Sequence, residues 1–249
     1  MFDHEYYTGK VNAVGKQCRE SGYPLIVTEW SASYSSRDAV HDSYFSAPFI
    51  LHCVKACEGN ADMMSYWVYS DIFEEVGIGQ TPFHGGFGLI NMQSIPKPSF
   101  YAYKMLNSLG DTELFCDDRN AYVCKSDGGL QVLVWNSVTP KQDAHNNVYF
   151  ARPLPALKLE DAAIEICGLK PEKKYKIKIE TVGYKMGDAY NAYLELGDEQ
   201  LSLKDSSRKI IEASGPNISE MTLSADCDGI LRFKIPQSEN QADLIRIDL

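Results

Sequence analysis

The sequence is short of positive charge: 24 lysines and arginines face 34 aspartates and glutamates, for a formal net charge of −10. That balance argues against a general binder of phosphate backbones, so no nucleic-acid partner is expected, while a neutral ligand such as a sugar stays open. Long apolar runs are missing as well. The longest nearly uncharged stretch, residues 43–54, is too short and too interrupted to cross a bilayer, so no membrane partner is expected either. The start, Met1 to Tyr7, has neither a basic n-region nor an apolar h-region; no secretory leader is read there, and a cytoplasmic location is expected. Seven cysteines, an odd number without a tight framework, point to reduced thiols. The closest pair, Cys53 and Cys57, would share a helix face, but no second ligand pair with zinc-like spacing follows. Neither a metal nor a cofactor is expected.

What is present is an ordinary globular composition, 44% hydrophobic and 23% charged, over 249 residues, enough for two domains. The first 110 residues alternate helical and strand-like signals. Val11, Val14 and Cys18 fall on one helical stripe that stops at Gly22, and the apolar run 24–30 follows as a buried strand. A second helix is expected from about Asp38 to Cys57, with Pro48 kinking it or marking its true start. A second short strand around 62–70 comes next, and a third helix opens at Pro98 and ends before Gly110. This order implies parallel strands with helical crossovers. From about Asp111 the period changes to two: Tyr175, Ile177 and Ile179 alternate with lysines, and Leu231, Phe233, Ile235 and Ile245, Ile247, Leu249 repeat the pattern. With turn signals between such runs, a β-sandwich is the expected second domain.

Two segments could carry chemistry. Glu29 ends an apolar strand, and Tyr66-Trp-Val-Tyr-Ser-Asp-Ile-Phe-Glu-Glu places Trp67, Asp71, Glu74 and Glu75 in or after the next one. In a parallel α/β architecture the loops leaving the strands' carboxyl ends form the active face. Acids beside an indole suit carbohydrate, since the ring packs on sugar C–H groups while carboxylates accept hydrogen bonds from hydroxyls and can supply nucleophilic or acid/base catalysis. Taken singly, each residue has a plainer role: a tryptophan in an apolar run is usually core, and paired glutamates in a loop are usually solvated. The glycines of Phe83-His-Gly-Gly-Phe-Gly-Leu lack the following lysine and helix start of a phosphate loop and read as a tight turn.

In order and spacing, Thr28-Glu-Trp, His41-Asp, the Tyr66 to Glu75 block, the Phe83 to Leu89 block and Ile95-Pro-Lys-Pro-Ser-Phe-Tyr-Ala resemble the C-terminal part of the β-xylosidases of glycoside hydrolase family 39. Val182-Gly-Tyr-Lys-Met-Gly-Asp-Ala-Tyr-Asn-Ala-Tyr is similar to a segment of that family's accessory β-sandwich. The resemblance implies the last α/β units of a (β/α)8 TIM barrel, residues 1–112 from helix six to helix eight, followed by an accessory β-sandwich domain, residues 113–249. It implies retaining hydrolysis of terminal xylosyl residues, with Glu29 at the position of the nucleophile after the seventh strand. Trp67, Glu74 and Glu75 match residues lining the sugar subsite after the eighth.

The family's general acid/base is the glutamate of an Asn-Glu-Pro motif, and this sequence contains no such motif. The expected function is therefore a β-xylosidase-like glycoside hydrolase, present as a C-terminal fragment and inactive alone. The alternative is a non-catalytic carbohydrate-binding or interaction module derived from a glycosidase. Expected partners are a xylo-oligosaccharide or other xyloside, and either a homo-oligomer or a complementing N-terminal barrel fragment to cover the open edges of the two parallel strands.

Overall fold

A computed structural model describes residues 3–73, 75–197 and 203–249. Helix α1, His4–Glu20, starts at Asp3, whose carboxylate accepts the Tyr6 amide as an N-cap. Its buried stripe is His4, Thr8, Val11 and Gly15, not the Val11, Val14, Cys18 stripe expected from sequence; Val14 is 47% exposed. Gly15 shows why. A Cβ there would stand 2.1 Å from the Asn60 carbonyl oxygen, so the helix rides on backbone at Gly15, and Val14 turns outward while Val11 stays buried.

Strand β1, Ile26–Trp30, pairs in parallel with β2, Met63–Tyr66. The crossover holds a 3₁₀ turn, Ala39–His41, and helix α2, Ser46–Ala56. Pro48 sits in the first turn of α2, where its missing N–H costs nothing, so it marks the start rather than a kink. Helix α3, Pro98–Leu106, opens with proline at N1 as expected. β1 is not the buried strand read from its composition: Ile26, Thr28 and Glu29 are exposed, because β1 and β2 pair with each other and with no further strand among the described residues.

The remaining elements are β3 (Thr112–Glu113), β4 (Ala121–Ser126), β5 (Gly129–Trp135), α4 (Asn146–Tyr149), β6 (Ala162–Ile166), β7 (Lys174–Val182), α5 (Ala189–Glu195), α6 (Leu203–Ser214), β8 (Asn217–Ser224), β9 (Leu231–Ile235) and β10 (Ala242–Ile247). Six strands form one antiparallel sheet in the order β3-β4-β5-β10-β7-β8, and β6 pairs with β9. Period two is visible in β7, where Tyr175, Ile177 and Ile179 are buried and Lys174 and Lys176 exposed; these isoleucines meet Leu231 and Ile235 of β9 in one apolar cluster. Leu249 lies past β10 and is 47% exposed. The second half is not all-β, since α5 and α6 pack on each other, and Tyr190, Tyr193 and Ile210 join a larger core with Leu133, Trp135 and Leu244 from the other face of the six-stranded sheet. That core continues into Trp30, Phe49 and Ile50 of the first half.

Asp188 caps α5, accepting the Asn191 and Lys185 amides at 3.2 Å each. Burial pushes its carboxyl up to about 7, above its ordinary 3.8, against the pull of those two amides. The native chain then holds this proton more tightly than the unfolded one, so the stabilisation is complete below about pH 4 and is lost as pH rises through about 7. Each tenfold difference in proton affinity between the two states is worth ~1.4 kcal/mol. Urea unfolding of the wild type and Asp188→Asn across this window should therefore show the wild type losing ground to the variant by up to about 4 kcal/mol. Parallel stability curves would refute the assignment.

Candidate active site

The carboxyl ends of β1 and β2 open into a groove of about 940 Å³. The pairing register slips between Val27 and Trp30, which leaves Thr28 and Glu29 out of the ladder, and the Trp67 amide then closes onto the Trp30 carbonyl at 2.8 Å. Glu29, Trp67 and Glu75 all line this groove; Glu74 lies outside the described residues. Trp30 forms its inner wall, held by Tyr7 stacked at 5.4 Å, Tyr66 edge-on at 5.5 Å and Phe49 at 6.1 Å. The Trp67–Val68 peptide is cis, and the Trp67 ring meets Phe73 edge-on at 5.1 Å. The groove is lined by carboxylates, aromatics and hydroxyls, with no lysine or arginine among its described lining residues. Such a wall offers acceptors to hydroxyl donors and flat faces to C–H groups.

The strip 83–90 forms the next wall. It runs beside the chain leaving β2, with Val68 donating to the Phe87 carbonyl at 3.1 Å and Leu89 to the Val68 carbonyl at 2.9 Å. Phe87 faces the groove. Gly85, at φ +75°, lies against Asp38, where a Cβ would stand 2.5 Å from the Asp38 nitrogen; only glycine fits there.

Under this strip lies a charge cluster that sequence reasoning missed. Lys97, fully buried, contacts Asp42 Oδ1 at 2.6 Å and Asp71 Oδ2 at 2.7 Å and donates to the Gly86 carbonyl at 2.9 Å. Asp42 accepts the Gly85 amide and Asp71 the Gly88 amide, each at 2.7 Å. Burial outweighs Lys97 and holds the Asp71 carboxyl above its ordinary range, while the two carboxylates outweigh burial and raise Lys97. Lys97 precedes Pro98 and is extended for that reason, so its side chain points under the loop before α3 begins. A lysine between two prolines was the available signal; its partners are distant in sequence. His41 completes the support, with Nδ1 2.9 Å from the Gly85 carbonyl and Nε2 3.1 Å from the Ser33 carbonyl. Burial lowers its pKa, and a neutral ring can donate to only one of the two, the nearer being Gly85.

The second half also reaches the groove. His145, Asn146 and Asn147 line it, and Asn146 donates to Asp38 Oδ2 at 2.9 Å. Sequence reasoning gave no sign of this contribution.

A family model described as "Glycosyl hydrolases family 39" matches residues 3–231. A β-xylosidase of Geobacillus stearothermophilus is 28% identical over 96% of this chain and 44% of its own length. A crystal structure of a monomeric β-xylosidase from Caulobacter crescentus superposes with a TM-score of 0.90 and 34% identity, covering 99% of this chain and 50% of that one. The GH39 enzyme from Xanthomonas axonopodis pv. citri gives a TM-score of 0.89 and 32% identity, over 96% and 48% of the two chains. The chain thus spans about half the length of the relatives it matches.

Proposed function

This chain belongs to family 39 of the glycosyl hydrolases, and from that premise we propose that it forms the carboxyl-terminal part of a retaining β-xylosidase, with Glu29 as nucleophile. In this reading β1 and β2 are the seventh and eighth strands of a (β/α)8 barrel, and the groove at their carboxyl ends is one side of its sugar site. The observation that carries the proposal is the convergence of Glu29, Trp67 and Glu75 on that groove. The slipped register supports it, because it releases the Glu29 carboxylate from the strand toward open space.

Retention needs two carboxyl groups about 5 to 5.5 Å apart. Glu29 would attack the anomeric carbon as the second carboxyl protonates the departing oxygen, and water would then release the xylose from the glycosyl-enzyme. Trp67 and Glu75 would hold the sugar ring, the indole on its C–H face and the carboxylate on its hydroxyls. The second carboxyl is assigned to the Asn-Glu-Pro glutamate of the family pattern, a motif this sequence does not contain. General acid catalysis contributes about 10² to 10⁴-fold, so these 249 residues by themselves should not turn over xylosides appreciably.

An aryl xyloside with a good leaving group bypasses the acid, so it tests the other expected loss: the groove is one side of a sugar site, and the rest of the pocket is assigned to the earlier strands of the barrel. The 249-residue polypeptide should hydrolyse it no faster than buffer; joined to the amino-terminal half of a family relative, it should be active and a 2-fluoro-xyloside should label Glu29. Labelling of Glu75 would overturn the nucleophile assignment. Turnover by the polypeptide alone, lost in Glu29→Gln, would overturn the need for a second half. Saturable xyloside binding without turnover in the joined molecule would favour a non-catalytic binding module.

A further inference from the structure

A second cluster stands where α1 begins, unused by the chemistry proposed above. His4 of α1 is 5% exposed, and His52 of α2 lies against it with ring centroids 4.2 Å apart. One oxygen of Glu5, Oε1, is 3.6 Å from His4 Nε2 and 3.4 Å from His52 Nε2. The donor atoms of the three residues all lie within 4.8 Å of one another. Nitrogen and oxygen ligands held about 2.0–2.1 Å from a tetrahedral zinc ion stand about 3.3 Å apart. The two nitrogen-to-carboxylate separations are therefore close to those of a coordination shell.

The hydrogen bonding points the same way. His52 Nε2 is buried and makes no hydrogen bond among the described residues, an arrangement that costs free energy unless something else takes its lone pair. His4 turns its other nitrogen, Nδ1, toward the hydroxyls of Ser137 and Thr139, each 3.4 Å away. Metal-binding imidazoles characteristically give their second nitrogen to such a partner, which fixes the ring and aims the first at the ion.

We propose that His4, Glu5 and His52 bind one divalent cation of the zinc type. Two imidazoles and one carboxylate favour zinc and its first-row neighbours over magnesium and calcium, which take oxygen shells. Coordination takes each imidazole in its neutral form, with the Nε2 lone pair directed at the ion, so binding should weaken in acid. A water completes the shell. The ion ties the first turn of α1 to the middle of α2, and that turn supplies Asp3, Tyr6 and Tyr7 to the rim of the groove. Its role is to pin a wall of the site rather than to act on substrate. Sequence spacing concealed the cluster, because His52 is brought to His4 and Glu5 only by packing of the two helices.

The test is titration of the chelator-stripped 249-residue protein with zinc by calorimetry and with cobalt by absorbance. One equivalent of zinc should bind saturably and raise the Tm by a few degrees, while magnesium does neither. The cobalt form should show visible ligand-field bands without a thiolate-to-metal charge-transfer band, which separates this site from the seven cysteines. His52→Gln and the surface change Glu5→Gln should each weaken binding about tenfold or more, with unchanged circular dichroism. Absence of saturable binding, a thiolate band, or wild-type affinity in both variants would overturn the proposal.

Discussion

Lys97→Met should cost the protein about 3–5 kcal/mol of stability, the range for removing one partner from a buried ion pair. The methionine fills nearly the same volume, so the loss is not one of packing. It arises because Asp42 and Asp71, both fully buried, keep one backbone amide each among the described residues after the ammonium has gone. Two further changes separate charge from shape. Adding Asp42→Asn and Asp71→Asn to the variant removes both carboxylate charges and should recover a large part of the loss. Acid should also help the single variant. Without Lys97 the Asp71 carboxyl, already above its ordinary range, rises further above that of the unfolded chain, so the native state binds protons more tightly and the variant gains on the wild type as pH falls. Urea unfolding at several pH values measures all three effects; a loss below ~1 kcal/mol, unchanged by pH, would show that the cluster is not the keystone of the loop. Lys97 also carries the Gly86 carbonyl, so the variant should loosen the strip that presents Phe87 to the groove.

In the molecule completed with a relative's amino-terminal half, Glu29→Gln should lower kcat on the order of 10⁴ to 10⁶-fold, the scale seen when a covalent nucleophile is removed. KM should change far less, because glutamine keeps a hydrogen-bonding side chain in the groove. The sharper test uses Glu29→Ala with azide. If Glu29 attacks the anomeric carbon, azide entering the space it vacates should restore turnover of an activated aryl β-xyloside and yield the α-xylosyl azide, since one displacement inverts where two would retain. Rescue giving the β product, or full activity without azide, would remove Glu29 from this role.

Much of this arrangement was legible in the residues. Gly22 and Pro24 mark the step from α1 to β1, Pro98 marks the first turn of α3, and the Lys174 to Ile179 alternation gives the inward face of β7. These signals are local, since backbone stereochemistry and period are set by near neighbours. What stayed hidden depends on elements meeting in space. Composition made β1 look buried, yet exposure is decided by which strands flank it, and Ile26 and Glu29 are exposed. Val14 looked like core until Gly15 met the Asn60 backbone. Lys97, Asp42 and Asp71 lie on three separate segments, and no spacing rule links a lysine to carboxylates brought together by folding. For the groove, the family motifs indicated Glu29, Trp67 and Glu75, whereas His145 and Asn147 come from a stretch that sequence reasoning had assigned no chemistry.

The apolar cluster joining Trp30, Phe49 and Ile50 to Leu133, Trp135 and Leu244 has a consequence for how such a protein can change over generations. A break in the gene near residue 112 would leave Tyr122, Leu133 and Trp135 uncovered on one product and Tyr101 and Met105 on the other. Neither product could be traded for a foreign piece unless the replacement matched that whole face at once. The strand-rich half and the groove-bearing half therefore share one core, and a change of volume at Phe49 or Trp135 is felt on both sides of the junction.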